Sequence, residues 1–424
     1  MTHPLRKKIA IVGTGISGLG AASLLHPHHD ITVYEKNDYI GGHSRTITIN
    51  TPEGVVPVDT GFIVFNKRNY PLLTRLFEHL QVPIAKSDMS FGVSIGAGWL
   101  EYGTRRLSYL LAQTHNLFRP AFWVMLADIL KFNRRAITYL QRDPSLTLGQ
   151  CLDELGVGPW FRHYYILAMG SAIWSTPASE MLQFPAQSFI RFFDNHGLLT
   201  VDEHPQWYTV QGGSREYVKR LTAPFKDRIL LGCGVHQTLR TPEGVKVIDT
   251  RGATAVYDEV VFACHADQAL SMMRDATTQE QRILGSFTYQ PNRAITHGDT
   301  SFMPRRRKAW ASWVYLSERR TTNEAGVSLS YWMNNLQPLK TAEPILVTLN
   351  PARSPKASLT HDEYMFEHPV FNSSAVNAQA DIDLIQGQNR LWFCGAYQRY
   401  GFHEDGLASA VRLAARMGIT PPWL

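Results

Sequence analysis

Residues 7–25 read KKIAIVGTGISGLGAASLL, and this stretch decides the fold. Residues 8–12 are a short apolar run suited to a buried parallel strand. The run ends in Gly13-Thr14-Gly15-Ile16-Ser17-Gly18, the G-x-G-x-x-G spacing of a dinucleotide site. The three glycines act differently. Gly13 makes the tight turn, Gly15 lets backbone approach a pyrophosphate, and Gly18 lets the following helix lie close on the strand. That helix starts near Ile16 and Ser17, so its unpaired N–H groups and positive end face the phosphates.

Working outward, residues 31–34 read ITVY, a second strand, and end at Glu35, about twenty residues past the glycines. A carboxylate there accepts ribose hydroxyls and repels a 2′-phosphate, which disfavours NADP. The chain continues EKNDYIGGHSRT over residues 35–46. This resembles the E-x(5)-G-G-x-x-x-(T/S) continuation of the flavin amine oxidase superfamily. The resemblance implies FAD as cofactor, with Lys36, Gly42, His43 and Ser44 beside it. Arg45 is expected to neutralise part of the diphosphate charge. Further on, Asp59-Thr60-Gly61-Phe62 resembles the D-x-G that lies beside the isoalloxazine in these flavoproteins. Gly61 and Phe62 are then cofactor contacts and Asp59 a structural acid.

At 424 residues the chain exceeds the size at which one hydrophobic core stops growing, so two domains are expected. It is 44% hydrophobic and 18% charged, an ordinary globular balance. The net charge is 42 − 36 = +6, yet no nucleic-acid motif accompanies it, so no nucleic-acid partner is expected. The cofactor's phosphates and an anionic membrane surface are the two uses foreseen for the excess. Cys151, Cys233, Cys264 and Cys394 form no C-x-x-C pair, which points to a reducing compartment and no metal site. The first residues carry no apolar signal segment, and no stretch is long and apolar enough to span a bilayer. A cytoplasmic protein is expected, with any membrane contact peripheral and at the inner face.

The expected fold class is α/β, a Rossmann-like FAD-binding domain of the amine oxidase type with an interleaved α+β substrate domain. The FAD-binding domain is expected over 1–90, 208–280 and 380–424. The substrate domain takes 91–207, mainly helical, and 281–379, mainly sheet. Within the helical insert, residues 118–140 form a basic amphipathic helix carrying Arg119, Lys131, Arg134 and Arg135. It either packs its apolar stripe inside or lies on anionic lipid. A meander over 231–257 follows, and in the flavoproteins this resembles a valine near its start meets the adenine, which makes Val235 the candidate. Residues 305–308, RRRK, are the densest charge run and read as a solvated loop, with a lipid headgroup contact as the second reading.

Near the end of the chain, residues 390–410 read RLWFCGAYQRYGFHEDGLASA. A strand, a glycine and a G-(A/L)-x-x-S-(G/A) helix resemble, in part, the closing motif of the amine oxidase superfamily. Gly395 would meet the ribityl diphosphate, and Gly406 and Leu407 the pyrimidine edge. The combination of Ile173-Trp174-Ser175-Thr176-Pro177, Asn195-His196-Gly197, Glu367-His368-Pro369 and Gly401-Phe402-His403-Glu404-Asp405-Gly406 narrows this further. It resembles a subgroup of predicted NAD/FAD-binding proteins associated with cyclopropane-fatty-acid-synthase-like methyltransferases. The resemblance implies desaturation of a methylated or unsaturated acyl chain of a phospholipid, and such a methyltransferase as partner. Amine, porphyrinogen or carotenoid oxidation, and a non-catalytic flavin-binding role, are the alternatives. The catalytic candidates are His403, Glu404 and Tyr400, of which Glu404 also counts as a cofactor contact. Ordering of the loop by His403 and capping of the helix by Glu404 is the competing reading of that pair.

Overall fold

The computed structural model describes residues 6–104, 107–143, 145–174, 178–200, 205–320 and 328–424. The opening strand Lys8–Val12 lies at the centre of a five-stranded parallel sheet. Its neighbours are Asp30–Tyr34 and then Ile229–Leu230 on one side, and Glu259–Phe262 and then Leu391–Phe393 on the other. Ile11 pairs with Val33 and with Val261, so apolar side chains fill both faces, as a buried parallel sheet requires. The chain leaves the central strand in one direction and returns on its other side. This is the switch point at which α/β sheets open a crevice for ligands.

Helix Ile16–Leu25 covers one face, and the closing helix His403–Arg416 lies against it. Glycines permit that approach. A Cβ on Gly20 would meet Leu407 Cδ1 at 3.0 Å, and one on Gly406 would meet Ile16 Cγ2 at 2.7 Å. The antiparallel meander Val235–Thr241, Gly244–Asp249 and Thr254–Tyr257 borders the same crevice.

The second layer is a seven-stranded sheet. Its strands are ordered Thr360–Val370, Thr288–His297, Leu346–Leu349, Ser328–Trp332, Trp313–Ser317, Phe91–Ile95 and Leu100–Gly103. Two of these come from the stretch expected to be mainly helical. Five consecutive buried residues in Phe91–Ile95 pair in parallel with Trp313–Ser317, so non-local pairing decides their state. Helices follow from there, including Pro120–Arg135, Leu167–Trp174 and Ala186–Asn195. Pro120 takes the first helical position, where its missing N–H costs nothing, and beyond Arg135 the chain tightens into a 3₁₀ turn, Ala136–Gln141. Ser175, Thr176 and Pro177 of the Ile173–Pro177 motif lie outside the described residues. Among the described residues no helix is long and apolar enough to cross a membrane.

The basic run at 305–308 is built into the fold. Arg305 and Arg306 donate backbone N–H groups to Glu101, which is fully buried, and the Arg306 guanidinium pairs with it at 3.0 Å. Arg307 lies over the Trp310 ring at 3.6 Å. Arg305, Arg307 and Lys308 are nevertheless exposed, so the loop is solvated as expected while Arg306 and two backbone N–H groups anchor it on a buried carboxylate.

Gly406→Ala tests the helix contact. Its Cβ would also sit 2.9 Å from Ser17 Oγ, so overpacking is expected to cost about 1–3 kcal/mol, read as a lower denaturant midpoint.

Candidate functional site

One cavity of about 710 Å³ runs from the glycine turn at the C-terminal edge of the parallel sheet into the interior of the second layer. At the sheet end Gly13 adopts φ +106°, and a Cβ there would strike Ala263 O at 2.9 Å. A Cβ on Gly18 would lie 2.0 Å from Gly13 O, so the helix cannot sit so close with any other residue. Gly15 differs: a Cβ on it would meet nothing within 4 Å, which leaves the space over its backbone open. The second glycine loop reaches the same place. Gly42, at φ +58°, would put a Cβ 3.0 Å from Gly15 Cα.

The start of helix Ile16–Leu25 has no side-chain cap and no acid in its first turn. Its free N–H groups and the positive end of its dipole therefore remain available to an anion in the cavity. Glu35, buried beside this turn, accepts from Thr14 N at 3.0 Å, from Thr14 Oγ1, and from Asn37 N and Nδ2 at 2.8 and 2.9 Å. Two of those donors, the Thr14 hydroxyl and the Asn37 amide, belong to side chains that can turn aside for ribose hydroxyls. Val235 and Lys36 line the cavity at the same end. This set of open glycine backbone, uncapped helix start and acceptor carboxylate fits the adenosine diphosphate half of FAD. Arg45 does not take part. Its guanidinium makes a two-point ion pair with Asp362, at 2.7 and 3.0 Å, and lies over the Tyr364 ring.

Deeper in, the lining is aromatic. Phe91, Trp174, Phe192, Trp207, Trp313 and Tyr331 are among its walls. Among the lining residues the charged side chains are Glu35, Lys36 and Glu367. Glu367 Oε2 lies 3.5 Å from His265 Nδ1, and Lys36 lowers the affinity of that histidine for protons, so all three charges gather at the sheet end.

His43, Gly61, Phe62, Gly395, Tyr400 and His403 also line the cavity. His403 stacks on Phe62 with ring centroids 3.9 Å apart. Its Nε2 meets Tyr217 OH at 2.7 Å and Ser44 Oγ at 3.1 Å, and Ser44 and Tyr217 bond to each other. Ser44, expected against the cofactor, is therefore a buried support one layer back, because its hydroxyl is taken by this triangle. Gly18, Gly406 and Leu407 likewise lie behind the lining, in the helix–strand and helix–helix contacts, since closeness of backbones is what they provide.

Glu404 is corrected most plainly. Its two oxygens accept from Leu72 N and Leu73 N, each at 2.9 Å, at the start of helix Pro71–His79. Its carboxylate caps a helix distant in sequence and lies outside the cavity lining, so the side chain is not free for the catalytic or cofactor role expected of it. The cap of its own helix is Asp405, which accepts from Phe402 N at 3.0 Å. Asp59 is a structural acid of the same kind, bound by Thr46, Ser214 and Gln337.

Sequence reasoning met Tyr217 and His368 only inside motif stretches, without a role of their own, and left His265 unassigned although its place after a strand invited a catalytic reading. A helical tyrosine has no local signal of pointing at a histidine 186 positions away. Yet five histidines, His43, His196, His265, His368 and His403, share this lining. Burial pushes each down, His43, His196 and His265 to about 4 and His368 and His403 to about 3, so all are neutral at pH 7. His43 Nε2 is buried without a hydrogen-bond partner.

The unfolded chain protonates those five imidazoles as pH falls through about 6.5, while the native state refuses the proton until about pH 3–4. Their contribution to stability is present above pH 6.5 and lost on acidification. Burial raises Glu404 to about 7 and Asp59 and Asp405 to about 6, which acts in the opposite sense. Five against three leaves a net loss, of about 1.4 kcal/mol per pH unit for each net proton at most. Urea midpoints are therefore expected to fall between pH 6.5 and 4.5; a constant or rising midpoint contradicts the neutral histidine lining. A second expectation concerns Gly15, which has φ −63° and open space above it. Gly15→Ala is expected to leave flavin-free stability within about 0.5 kcal/mol while weakening FAD binding at least about 10-fold, measured by denaturation and by flavin titration.

Comparison with known proteins agrees with this geometry. A family profile described as NAD(P)-binding Rossmann-like domain matches residues 11–80. The FAD-dependent oxidoreductase dbaF of Emericella nidulans is 33% identical over 102 residues, 24% of this chain and 21% of that protein. The matching stretch thus spans about a fifth of that relative. Solved structures match along nearly the whole chain. The CLA-producing fatty acid isomerase from P. acnes superposes with a TM-score of 0.69 at 14% identity, covering 97% of this chain and 98% of that one. Cyclohexylamine oxidase from Brevibacterium oxydans gives 0.68 at 16%, covering 98% and 100%. Reduced UDP-galactopyranose mutase gives 0.68 at 14%, covering 97% and 95%. Residues 11–80 thus match a Rossmann-like dinucleotide-binding profile, and the chain as a whole has the fold seen in flavin amine oxidases.

Proposed function

We propose that this chain is an FAD-dependent oxidoreductase that removes two hydrogens from an uncharged, apolar substrate, most concretely a methylated or unsaturated acyl chain of a phospholipid. The observation that carries this reading is the segregation of charge along a single cavity. Every charged lining side chain sits at the sheet end, and the inner walls are Phe, Trp, Tyr, Met, Leu and Ile with neutral histidines. An ammonium substrate would be stripped of water there with no carboxylate to receive it, at a cost of several kcal/mol. An acyl chain loses nothing by the same transfer and gains about 0.8 kcal/mol per buried CH₂.

Proteins of this fold include both a fatty acid isomerase and amine oxidases, so the fold leaves the choice of substrate to the walls. Among the lining residues the one lysine is Lys36, which stands beside Glu35 at the far end from the aromatic chamber. FAD, when bound, would supply the two-electron acceptor for a hydride leaving one substrate carbon. The neighbouring carbon gives up a proton to an uncharged base, and His43 Nε2, buried and unpartnered, is such a nitrogen. Phe62 and His403, stacked face to face, hold one wall flat. Trp174, Phe192 and Phe402 close the interior against water, with Phe192 and Phe402 stacked at 5.0 Å. Tyr400 adds a further aromatic wall.

The test is anaerobic mixing of the flavin-loaded protein with unsaturated or methylated phospholipid and, separately, with cyclohexylamine, following flavin absorbance and product mass. Lipid is expected to bleach the flavin and to give a product lighter by two hydrogens. Bleaching by the amine alone, or by neither, overturns the reading.

A further inference from the structure

The helix Pro120–Arg135 carries apolar residues on two faces, and only one of them has a use inside the fold. Phe122, Met125 and Phe132 are buried, with Phe132 5.5 Å from Phe161 and Phe122 6.5 Å from Tyr102. The opposite face bears Trp123, Val124, Ala127 and Leu130, all exposed. Phe118 precedes it at 86% exposure, and Ile137 follows it, also exposed. Of the exposed large apolar side chains among the described residues, Leu117, Phe118, Trp123, Val124, Leu130 and Ile137 fall in this one stretch. Scattered apolar side chains on a surface need no cause, but a continuous stripe does.

On the helix's own outer face, charge has one sign. Arg134 and Arg135 are exposed and have no ion-pair or hydrogen-bond partner for their guanidinium groups among the described residues. Lys131 lies one turn before, with its ammonium on Gly156 O at 3.1 Å. The one acid of the helix, Asp128, is buried and accepts from Gly158 N at 2.8 Å, so it offers nothing outward. An outer face with a tryptophan, a phenylalanine and a leucine, rimmed by cations and lacking an exposed carboxylate, complements an anionic lipid surface.

The stripe also lies close to the cavity. The 3₁₀ turn Ala136–Gln141 packs on helix Ala186–Asn195, whose Phe192 is a wall of the inner chamber. We infer that the outer face from Phe118 to Ile137 is a bilayer-docking surface that seats the protein in the interfacial region of anionic membranes. The helix lies in the plane of that interface without crossing it. The inference goes beyond the oxidoreductase reading and does not depend on which molecule reduces the flavin.

Flotation of the flavin-loaded full chain with vesicles tests it. Vesicles of phosphatidylcholine with phosphatidylglycerol are expected to carry the protein, and vesicles of phosphatidylcholine alone to carry much less. The double variant Phe118→Ser/Leu130→Ser is expected to lower the partition coefficient at least about 10-fold. Arg134→Glu/Arg135→Glu is expected to lower it roughly 10-fold or more and to remove the preference for the anionic lipid. Flavin content and melting temperature of each variant report that the fold is intact. Raising the salt with the unmodified protein gives an independent measure, because exposed charges are screened, and binding is expected to weaken. Unmodified protein that stays with neither vesicle, or variants that partition like it, overturns the inference. A concentration-dependent dimer that Phe118→Ser abolishes, in a protein that ignores vesicles, overturns it in favour of self-association. Vesicle binding without flavin reduction by lipid leaves the docking surface standing and removes the acyl substrate.

Discussion

Two helices from opposite ends of the chain, Ile16–Leu25 and His403–Arg416, lie against each other because Gly20 and Gly406 withhold side chains from the contact. Much else depends on that approach. It brings the loop 395–402 over the glycine turn and places His403 within reach of Tyr217 and Ser44. It also carries Glu404 to the start of helix Pro71–His79, where one carboxylate satisfies two backbone N–H groups that the helix itself leaves open. A site assembled from residues nearly 400 positions apart needs such a contact, since neither end of the chain could hold a cofactor alone.

The same logic of buried acids recurs. Asp59 draws together Thr46, Ser214 and Gln337, and Glu101 draws together Ser94 and the backbone of Arg305 and Arg306. Each joins segments that are distant in sequence, and each is close to fully buried. Removing the partners of such a group would leave a buried, unsatisfied acceptor, which costs about 1–3 kcal/mol or more. Asp59 ties Gln337 to Thr46 and Ser214, whereas Glu101 binds parts of the second layer to one another.

Legibility in the sequence followed the range of the interaction. The turn Gly13–Gly18, the acid Glu35 and the second glycine loop were readable because their roles depend on local spacing and on the absence of side chains. The sheet order that surrounds them follows from the same βαβ pattern. By contrast, the strands Phe91–Ile95 and Leu100–Gly103 were hidden in a stretch expected to be helical: the first finds its other partner beyond residue 310, and the second pairs only with the first. Arg45 and Glu404 were misplaced for one reason. A charged side chain next to a motif looks available, and its true partner, Asp362 or the backbone of Leu72, is chosen by the tertiary fold. Tyr217 lies in a motif stretch but could be given no role, because a buried tyrosine becomes informative only when the group facing it is known.

The distribution of charge in the cavity follows from these commitments. The second layer is rich in cations, yet Arg45 is paired with Asp362, Arg306 with Glu101 and Arg293 with Glu363. The one acid of this layer among the lining residues, Glu367, stands beside His265 at the sheet end, away from the aromatic chamber. The histidines that do face it are too deeply buried to hold a proton at neutral pH. At the sheet end the reverse holds. Free N–H groups of an uncapped helix, an open glycine and one acceptor carboxylate suit a group that brings its own negative charge. A cavity polar at one end and uncharged at the other holds a dinucleotide by its phosphates. It also leaves the inner end in a medium of low dielectric, where an unpaired charge is costly.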